Sequence, residues 1–330
     1  MRTALIHRTG GPDVLEVSSS DGPTAPGAGE ILIRTVVMAV SGPDVLIRQG
    51  VYKWAPPLPM SPGNELVGVV ADIGADVSDI AIGATVLLSA RELPARGGCY
   101  TDFTVVPARA VHVLPVGIDP EQAVTIPTYL VAHAMLQGSL TANMRTIFVN
   151  GLAGIIGSAL TELAKARGLT VIGTVSSDEK AYFAKHKGAD EVIVYTREPT
   201  LERVMTLTQG RGVDIAFDHV IGPGFVDCIR MLGDFGVAVA FNVHTPMPND
   251  DIFGELRKLS IRSPALRVFN VHTYDHDIPA LRRMTRELIG MLAAGEIRPS
   301  IGARLPLDRV VEAHRLFEQG QTLGKIILYP

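Results

Sequence analysis

Short apolar runs separated by turn residues dominate the first part of the chain. The runs at 31–40, 66–73, 84–89 and 103–106 alternate with segments rich in glycine and proline. Short strands with such turns between them are typical of a β-rich domain. The prolines at 56–62 predict a loop, because proline cannot donate to a β-ladder. This pattern predicts a barrel-like β domain over about the first 120 residues.

From about residue 122 the pattern changes to apolar strands that alternate with amphipathic helices. Such alternation is typical of βαβ units around a parallel sheet that is covered on both faces. The predicted strands cover 146–150, 170–174, 191–194, 213–217 and 237–241, and the predicted helices between them cover 154–167, 178–187, 201–208 and 224–232. Two further helices, at 278–294 and 307–319, and a final strand at 325–328 complete the predicted elements.

The first strand of this region runs into a glycine-rich turn, 150–157, with the spacing G-x-x-G-x-x-G. In such a turn the first glycine permits a sharp bend, the second lets the backbone approach a pyrophosphate, and the third lets the helix pack against the sheet. A pyrophosphate binds there to the unpaired amides of the helix N-terminus. The alternative is a strand-to-helix turn that binds nothing. The candidates for cofactor binding are Gly151, Ala153, Gly154, Ile155 and Ile156.

The end of the second strand favours NADPH over NADH. An acidic residue at this point would bind the ribose 2′-hydroxyl of NAD, but the chain has Val175 at about that position. Ser176, Ser177 and Lys180 follow, and hydroxyl groups with a lysine suit a phosphate dianion. The two acidic residues at 178 and 179, in the first turn of the helix, count against this interpretation. In the competing interpretation, Ser177 only caps the helix and Lys180 is a solvated surface residue.

The composition narrows the choice of partners. Hydrophobic residues make up 47% and charged residues 19%, as in an ordinary globular protein. A net charge of −4 argues against nucleic acid or an anionic membrane as the main partner, because both need a basic face. No apolar run is long enough to predict a membrane helix. Cys99 and Cys228 are expected to be reduced thiols of a cytoplasmic protein.

Further motifs are spread along the whole chain. They are Gly50-Val51-Tyr52, Pro62-Gly63-Asn64-Glu65-Leu66-Val67-Gly68, Gly97-Gly98-Cys99-Tyr100, Gly188-Ala189-Asp190-Glu191, Gly212-Val213-Asp214-Ile215-Ala216-Phe217-Asp218 and Gly324-Lys325-Ile326-Ile327-Leu328. Together with the glycine-rich turn, and in this order, they resemble the zinc-free NADPH:quinone oxidoreductase branch of the medium-chain dehydrogenase/reductase superfamily.

The resemblance implies two domains. Residues 1–122 and 272–330 would form a GroES-like catalytic domain of the β-barrel type, and residues 123–271 a Rossmann domain with a doubly wound parallel sheet that binds NADPH. The resemblance also implies a cleft between the domains for nicotinamide and substrate, and a homo-oligomer, with a dimer favoured.

The same resemblance adds cofactor contacts outside the glycine-rich turn. Tyr195, after the third strand, matches the tyrosine that packs beside the 2′-phosphate in NADPH-binding relatives. Phe241, at the end of the strand at 237–241, and Asn242, directly after it, match part of the nicotinamide-side wall. Thr128, which we place just before a helix, is a candidate for binding the nicotinamide amide.

Two metal-ligand positions of the zinc-dependent relatives are replaced in this chain. Those relatives have a Cys three residues before an Asp, and a Gly-His-Glu triplet, whereas here Ser41 precedes Asp44 and the triplet is Gly63-Asn64-Glu65. Serine and asparagine are poor zinc ligands, so we expect no metal. Without a Lewis acid, hydride transfer to a quinone or enone is easier than to a simple ketone, because the charge spreads over an enolate or hydroquinone anion.

Three residues are catalytic candidates for this chemistry. Ser41 and Asn64 are candidate donors to the anion, and Tyr52, in a Gly-x-Tyr setting like that of enoyl reductases, is the candidate proton donor. Each could instead serve the structure alone, as a turn residue, a loop anchor and a pocket wall.

Three functions stay open. The first is an NADPH-dependent oxidoreductase that transfers hydride to a quinone or an α,β-unsaturated carbonyl compound without metal. The second is an enoyl-thioester reductase for an acyl-CoA or carrier-protein substrate, for which Arg257, Lys258, Arg262 and Arg267 could form a basic mouth. A solvated charged face is the simpler interpretation of those four residues. The third is a non-catalytic NADPH-binding sensor protein.

Overall fold

The computed structural model describes residues 1–222, 224–241 and 250–330. The chain divides into two compact units. Unit 1 comprises Met1–Thr128 and Ile278–Pro330, and unit 2 comprises Tyr129–Asp277. The predicted domain boundaries, at residues 122 and 272, lie close to these divisions.

Unit 1 consists mainly of β-strands. Its strands are β1 (Arg2–Ile6), β2 (Leu15–Ser19), β3 (Glu30–Val40), β4 (Glu65–Ile73), β5 (Thr85–Ser89), β6 (Phe103–Pro107), β7 (Val111–Val113), β14 (Ile301–Pro306) and β15 (Lys325–Tyr329). A mixed sheet has the strand order β14-β15-β3-β4-β5-β7, with β6 also paired with β3. Strands β1 and β2 form a separate antiparallel pair.

The helices of unit 1 are α1 (Gly42–Gln49), α2 (Pro120–Ala123), α9 (Ile278–Ala293) and α10 (Val310–Gln319). Helix α1 begins after Ser41, which forms a capping box with Asp44 at the helix N-terminus. The helix ends at Gly50, whose φ of 76° requires a residue without a Cβ. Asn64 follows in the loop before β4, so the fold of unit 1 determines where both candidate donors lie.

Unit 2 is an α/β structure around a parallel sheet. Its strands are β8 (Thr146–Val149), β9 (Thr170–Val175), β10 (Glu191–Val194), β11 (Val213–Asp218), β12 (Leu232–Ala240) and β13 (Ala265–Val268). Its helices are α4 (Ile155–Ala166), α5 (Asp178–His186), α6 (Thr200–Leu207), α7 (Phe225–Arg230) and α8 (Ile252–Lys258), and α3 (Ile126–Ser139) enters it from unit 1.

The strand order of unit 2 determines where a ligand can bind. The order is β10-β9-β8-β11-β12-β13, and every pairing in it is parallel. The chain moves outward from β8 to β10 and then returns to the other side of β8 with β11. In sheets of this kind ligands bind beyond the carboxyl ends of the strands, where the direction of winding reverses. That point lies here between β8 and β11.

The structure departs from the sequence prediction at several elements. Helix α3 begins at Ile126, so Thr128 lies inside its first turn, and the prediction that Thr128 precedes the helix was wrong. Strand β12 begins at Leu232 rather than at 237. Leu232 pairs with Val213 and Val237 pairs with Ile215, so residues 233–236 bulge out of the ladder. Strands β13 and β14 and helix α8 were not predicted. Within the described ranges, the helices are too short or too polar to span a membrane.

Two helical glycines give opposite predictions for stability. A Cβ on Gly157, in α4, would lie 2.2 Å from the carbonyl oxygen of Gly151, whereas a Cβ on Gly290, in α9, meets nothing within 4 Å. We expect Gly157→Ala to lower the free energy of unfolding by about 2 kcal/mol or more through overpacking. Gly290→Ala, the control, should raise it by about 0.5–1 kcal/mol through helix propensity. Urea unfolding measures both, and a neutral Gly157→Ala variant would contradict this packing.

Candidate active site

The glycine-rich turn leaves a helix N-terminus able to bind an anion. Gly151 has a φ of 85°, and a Cβ there would lie 2.7 Å from Cε1 of His219, so only glycine fits. Gly154 is the N-cap of α4 and, as a glycine, has no side chain to cap the helix. The amides of the first helical turn have no intrahelical acceptors, so they can donate to an anionic ligand.

A chain of polar side chains joins the carboxyl ends of three neighbouring strands. Thr174, in β9, accepts a hydrogen bond from the Gly151 amide at 3.1 Å and donates to Oδ1 of Asn150 at 2.6 Å. Asn150 in turn donates through Nδ2 to Asp218, at the end of β11, at 3.0 Å. These residues were not among the sequence candidates. The signal for them in the sequence was a polar residue at the end of each strand. Parallel pairing brings such residues to the same edge of the sheet.

The residues predicted to bind a 2′-phosphate lie at the ends of β9 and β10. Ser177 caps α5 by accepting a hydrogen bond from the Lys180 amide at 3.4 Å, and capping of this kind is compatible with ligand binding. Ser176 and Lys180 are half-buried, and the Tyr195 amide donates to the Val175 carbonyl at 3.1 Å. The backbone therefore brings these positions together.

Asp178 is one of the two acidic residues, with Glu179, that count against phosphate binding in the sequence. Its carboxylate accepts two hydrogen bonds from the guanidinium group of Arg197, at 2.7 and 2.5 Å. This bidentate pair offsets the negative charge of Asp178 next to Ser177.

The nicotinamide-side candidates are only partly described. The Phe241 amide donates to the carbonyl of Asp218 at 3.2 Å, which places Phe241 at the carboxyl edge of the sheet. Its ring lies 5.8 Å from the ring of His219. Asn242 lies outside the described residues.

In unit 1, a single buried carboxylate joins the two candidate donors. Asp44 Oδ2 accepts hydrogen bonds from the Ser41 amide at 2.8 Å, from Ser41 Oγ at 2.9 Å and from the Tyr100 hydroxyl at 3.1 Å. Asp44 Oδ1 accepts from Asn64 Nδ2 at 2.6 Å. The structure thus brings Ser41 and Asn64 together, with Asp44 fully buried between them.

These contacts determine what each donor can still do. The only hydrogen of the Ser41 hydroxyl is directed to Asp44, so Ser41 is a weaker candidate donor to a ligand than the sequence suggests. The Asn64 amide has two hydrogens, and one bond to Asp44 uses one of them. Burial raises the pKa of Asp44, and the hydrogen bonds from Asn64 and Ser41 oppose that rise.

A row of buried side chains extends from Asp44 through Tyr100 and His314 to Arg48. The hydroxyl of Tyr100 lies 3.2 Å from Nε2 of His314, whose Nδ1 faces the guanidinium group of Arg48 at 3.5 Å. Burial and the charge of Arg48 lower the pKa of His314 to about 3, so this histidine is neutral at physiological pH. Burial and the neighbouring Asp44 raise the pKa of Tyr100 well above its usual value. Tyr100 therefore donates to Asp44 and does not ionise.

Thr128 is bound by a buried lysine. Lys325 Nζ donates to Thr128 Oγ1 at 2.9 Å and lies 2.6 Å from Glu65 Oε2. Burial raises the pKa of Glu65, and the ammonium group of Lys325 opposes this rise. Because Lys325 donates to Thr128 Oγ1, the hydroxyl hydrogen of Thr128 is left to donate elsewhere. A lysine at the start of an apolar strand was the signal for this contact in the sequence.

Tyr52 has mainly apolar surroundings. The side chain is 8% exposed and belongs to the core of unit 1, and its ring centroid lies 5.4 Å from that of Trp54. This packing agrees with the interpretation of Tyr52 as a wall residue and leaves its role in proton transfer a prediction. Over the described ranges, no cluster of three or more His, Cys, Asp or Glu side chains could hold a metal ion.

Comparison with known proteins places the two units in one family. Residues 27–116 match the family model described as the alcohol dehydrogenase GroES-like domain, and residues 187–328 match the one described as zinc-binding dehydrogenase. The quinone oxidoreductase of Pseudomonas aeruginosa is 31% identical over 97% of this chain and 97% of its own length.

Solved structures agree with this assignment. The structure of Escherichia coli quinone oxidoreductase complexed with NADPH has a TM-score of 0.85 and 26% identity, covering all of both chains. That of Pseudomonas syringae quinone oxidoreductase has a TM-score of 0.87 and 29% identity, covering 100% of this chain and 99% of the other. The predicted pair of folds, Rossmann and GroES-like, is confirmed. With relatives matched over nearly their whole length, the chain belongs to the quinone oxidoreductase branch of the medium-chain dehydrogenase/reductase superfamily.

Proposed function

We propose that this NADPH-dependent oxidoreductase transfers hydride to a quinone or an α,β-unsaturated carbonyl compound, without a bound metal. The observation that carries the proposal is the pairing of Ser41 and Asn64 through Asp44 at the two positions where zinc-dependent relatives have metal ligands. NADPH, when bound, supplies the hydride. The protein supplies hydrogen-bond donors for the anion that forms on the substrate.

The donor set at these positions does not fit zinc. Zinc in proteins is bound by thiolate, imidazole and carboxylate groups. Here a hydroxyl and a carboxamide occupy two ligand positions, and both are hydrogen-bonded to Asp44. Glu65, the neighbouring carboxylate, is paired with Lys325, whose ammonium group would repel a cation.

The structure of unit 2 fits NADPH. The first-turn amides of α4, from Ile155 onward, are suited to the pyrophosphate, with Gly151, Ala153 and Gly154 forming the turn around it. Ser176, Ser177, Lys180 and Tyr195 would bind the 2′-phosphate, and Phe241 and Asn242 would contact the nicotinamide half. Escherichia coli quinone oxidoreductase, which is 26% identical, has been solved as a complex with NADPH.

On the substrate side, we assign different roles to the three candidates. Asn64, with an amide hydrogen beyond the one given to Asp44, donates to the developing oxyanion. Ser41 fixes the orientation of Asp44, and the hydroxyl group of Tyr52 donates the proton to the reduced substrate. Thr128, bound by Lys325, is the candidate for the nicotinamide amide.

The thioester alternative receives less support from the structure. Lys258 is paired with Glu255 at 2.6 Å, and Arg267 donates to Ser139 at 3.4 Å. Arg262 donates to three backbone carbonyl oxygens, those of residues 210, 211 and 232. Most of the predicted basic mouth thus has structural partners, which favours a small uncharged substrate.

Turnover tests the main proposal. We expect purified protein to oxidise NADPH in the presence of 1,2- or 1,4-quinones or small enones, followed by absorbance at 340 nm. A strong zinc chelator should leave the rate unchanged, because no step needs a Lewis acid. Loss of activity on chelation with recovery on adding Zn²⁺, or no turnover with any acceptor, would contradict the proposal.

The Tyr52→Phe variant separates the two roles of Tyr52 in the same assay. The variant keeps the packed ring but loses the hydroxyl group. If Tyr52 is the proton donor, kcat falls about 10²-fold while the KM for NADPH is unchanged. An unaltered kcat would leave Tyr52 as a pocket wall only.

Cofactor selectivity depends on Lys180 in this account. Lys180→Ala removes a cation from the 2′-phosphate, so kcat/KM for NADPH should fall about tenfold, whereas kcat/KM for NADH should stay the same. Lys185→Ala is the matched control, since Lys185 lies on the same helix but donates to the carbonyl of Asp190. Equal losses with both cofactors would rule out this role.

The edge of the parallel sheet is suited to a second copy of the chain. All four residues of β13, Ala265–Val268, are exposed, and in the described part of the chain this strand pairs only with β12. An exposed edge strand readily pairs with another strand, and a two-fold axis would make that pairing antiparallel. Light scattering should give twice the chain mass of 35.3 kDa. Val268→Lys should shift the protein toward monomer, and a monomeric wild type would refute the dimer.

A further inference from the structure

His219 lies against the glycine-rich turn, although neither the sequence candidates nor the proposed function uses it. The residue directly follows β11, and a Cβ added to Gly151 would lie 2.7 Å from Cε1 of His219. On another side its ring faces Phe241, with centroids 5.8 Å apart and an interplanar angle of 34°. The imidazole is partly exposed, so a ligand at this edge of the sheet can reach it.

The backbone on both sides of His219 is held in place. Asp218, which is fully buried, accepts hydrogen bonds from the Val220 amide at 2.7 Å and from Asn150 Nδ2 at 3.0 Å. Ile221 is buried with a φ of 48°, a conformation that β-branched residues rarely adopt. Strain of this kind is maintained only where the surrounding structure fixes the loop, and it is concentrated at functional sites.

One hydrogen bond determines which nitrogen of His219 can accept. Nδ1 lies 3.1 Å from the carbonyl oxygen of Asn150, and a carbonyl oxygen only accepts, so Nδ1 carries the hydrogen. In the neutral imidazole Nε2 then has a lone pair. Among residues 1–222, 224–241 and 250–330, no hydrogen-bond partner of Nε2 is present.

The strand order determines which part of the cofactor passes this acceptor. Ser176 and Lys180 follow β9, on one side of β8, and His219 follows β11, on the other side. A dinucleotide with its 2′-phosphate at Lys180 and its pyrophosphate on α4 therefore extends its nicotinamide half toward His219. A lone pair on Nε2 repels phosphate oxygens, but it can accept a hydrogen bond from a ribose hydroxyl group.

We propose that His219 is a cofactor-binding residue that accepts, at Nε2, a hydrogen bond from a hydroxyl group of the nicotinamide-side ribose. The inference rests on the proposed use of NADPH. In this proposal His219 contacts only the nicotinamide half of the cofactor. Substituting His219 should therefore not change the affinity for a ligand that lacks this half.

Calorimetric titration with two probes tests this assignment. NADPH contains both halves, and adenosine 2′,5′-bisphosphate contains only the adenosine half with the 2′-phosphate. His219→Asn keeps a donor to the Asn150 carbonyl but loses the distant acceptor, whereas the amide oxygen of His219→Gln can replace Nε2. We expect His219→Asn to bind NADPH about fivefold more weakly, and adenosine 2′,5′-bisphosphate as tightly as the wild type does. His219→Gln should recover most of the NADPH affinity.

His186→Asn is the matched control. His186 Nδ1 also lies close to a carbonyl oxygen, that of Tyr182 at 2.8 Å, but the residue is exposed at the end of α5. Its variant should bind both probes normally. Unchanged NADPH binding in His219→Asn, or equal weakening for both probes, would overturn the role of His219 while NADPH use stands. If the wild type bound neither probe, the proposed function itself would fail.

Discussion

The close approach of helix α4 to the turn at Gly151 is the constraint on which the account of unit 2 depends. Gly157 packs so closely against the Gly151 carbonyl that no side chain fits between them. This contact places the start of α4 at the carboxyl edge of the sheet, beside the reversal between β8 and β11. The polar ends of β8, β9 and β11 are joined to the same turn through Thr174, Asn150 and Asp218. The amides that begin α4 are therefore held in place before any ligand arrives.

In unit 1 the corresponding constraint is the burial of charge. Asp44 and Glu65 are both removed from water, and each is compensated differently, Asp44 by neutral donors and Glu65 by the ammonium group of Lys325. Removing one partner of such a group leaves a buried charge without compensation, which is costly. The same contacts that stabilise these carboxylates orient Asn64 and Thr128, so stability and the proposed chemistry depend on the same atoms.

The sequence predicted the regular elements of unit 2 well, because their apolar residues recur with clear periods. The exposed strand β13 has no buried face, so its four residues show no alternation that a sequence reading could detect. The start of β12 was predicted five residues too late, because residues 233–236 bulge out of the ladder and interrupt the apolar run.

For the candidate site, residue types were predictable but their shared partners were not. The metal-ligand positions led to Ser41 and Asn64 directly. That both donate to Asp44, and that Tyr100 and His314 support it, depends on contacts between residues far apart in sequence. His219 was not a candidate in the sequence, and its position against Gly151 required the folded structure.

A crystal structure of the NADPH complex tests the central claim most directly. We expect the pyrophosphate on the amides that begin α4 and the 2′-phosphate among Ser176, Ser177 and Lys180. We also expect Asn64 to donate to Asp44, with no metal beside it. A cofactor bound away from the glycine-rich turn, or a zinc ion coordinated at Ser41 and Asn64, would contradict it.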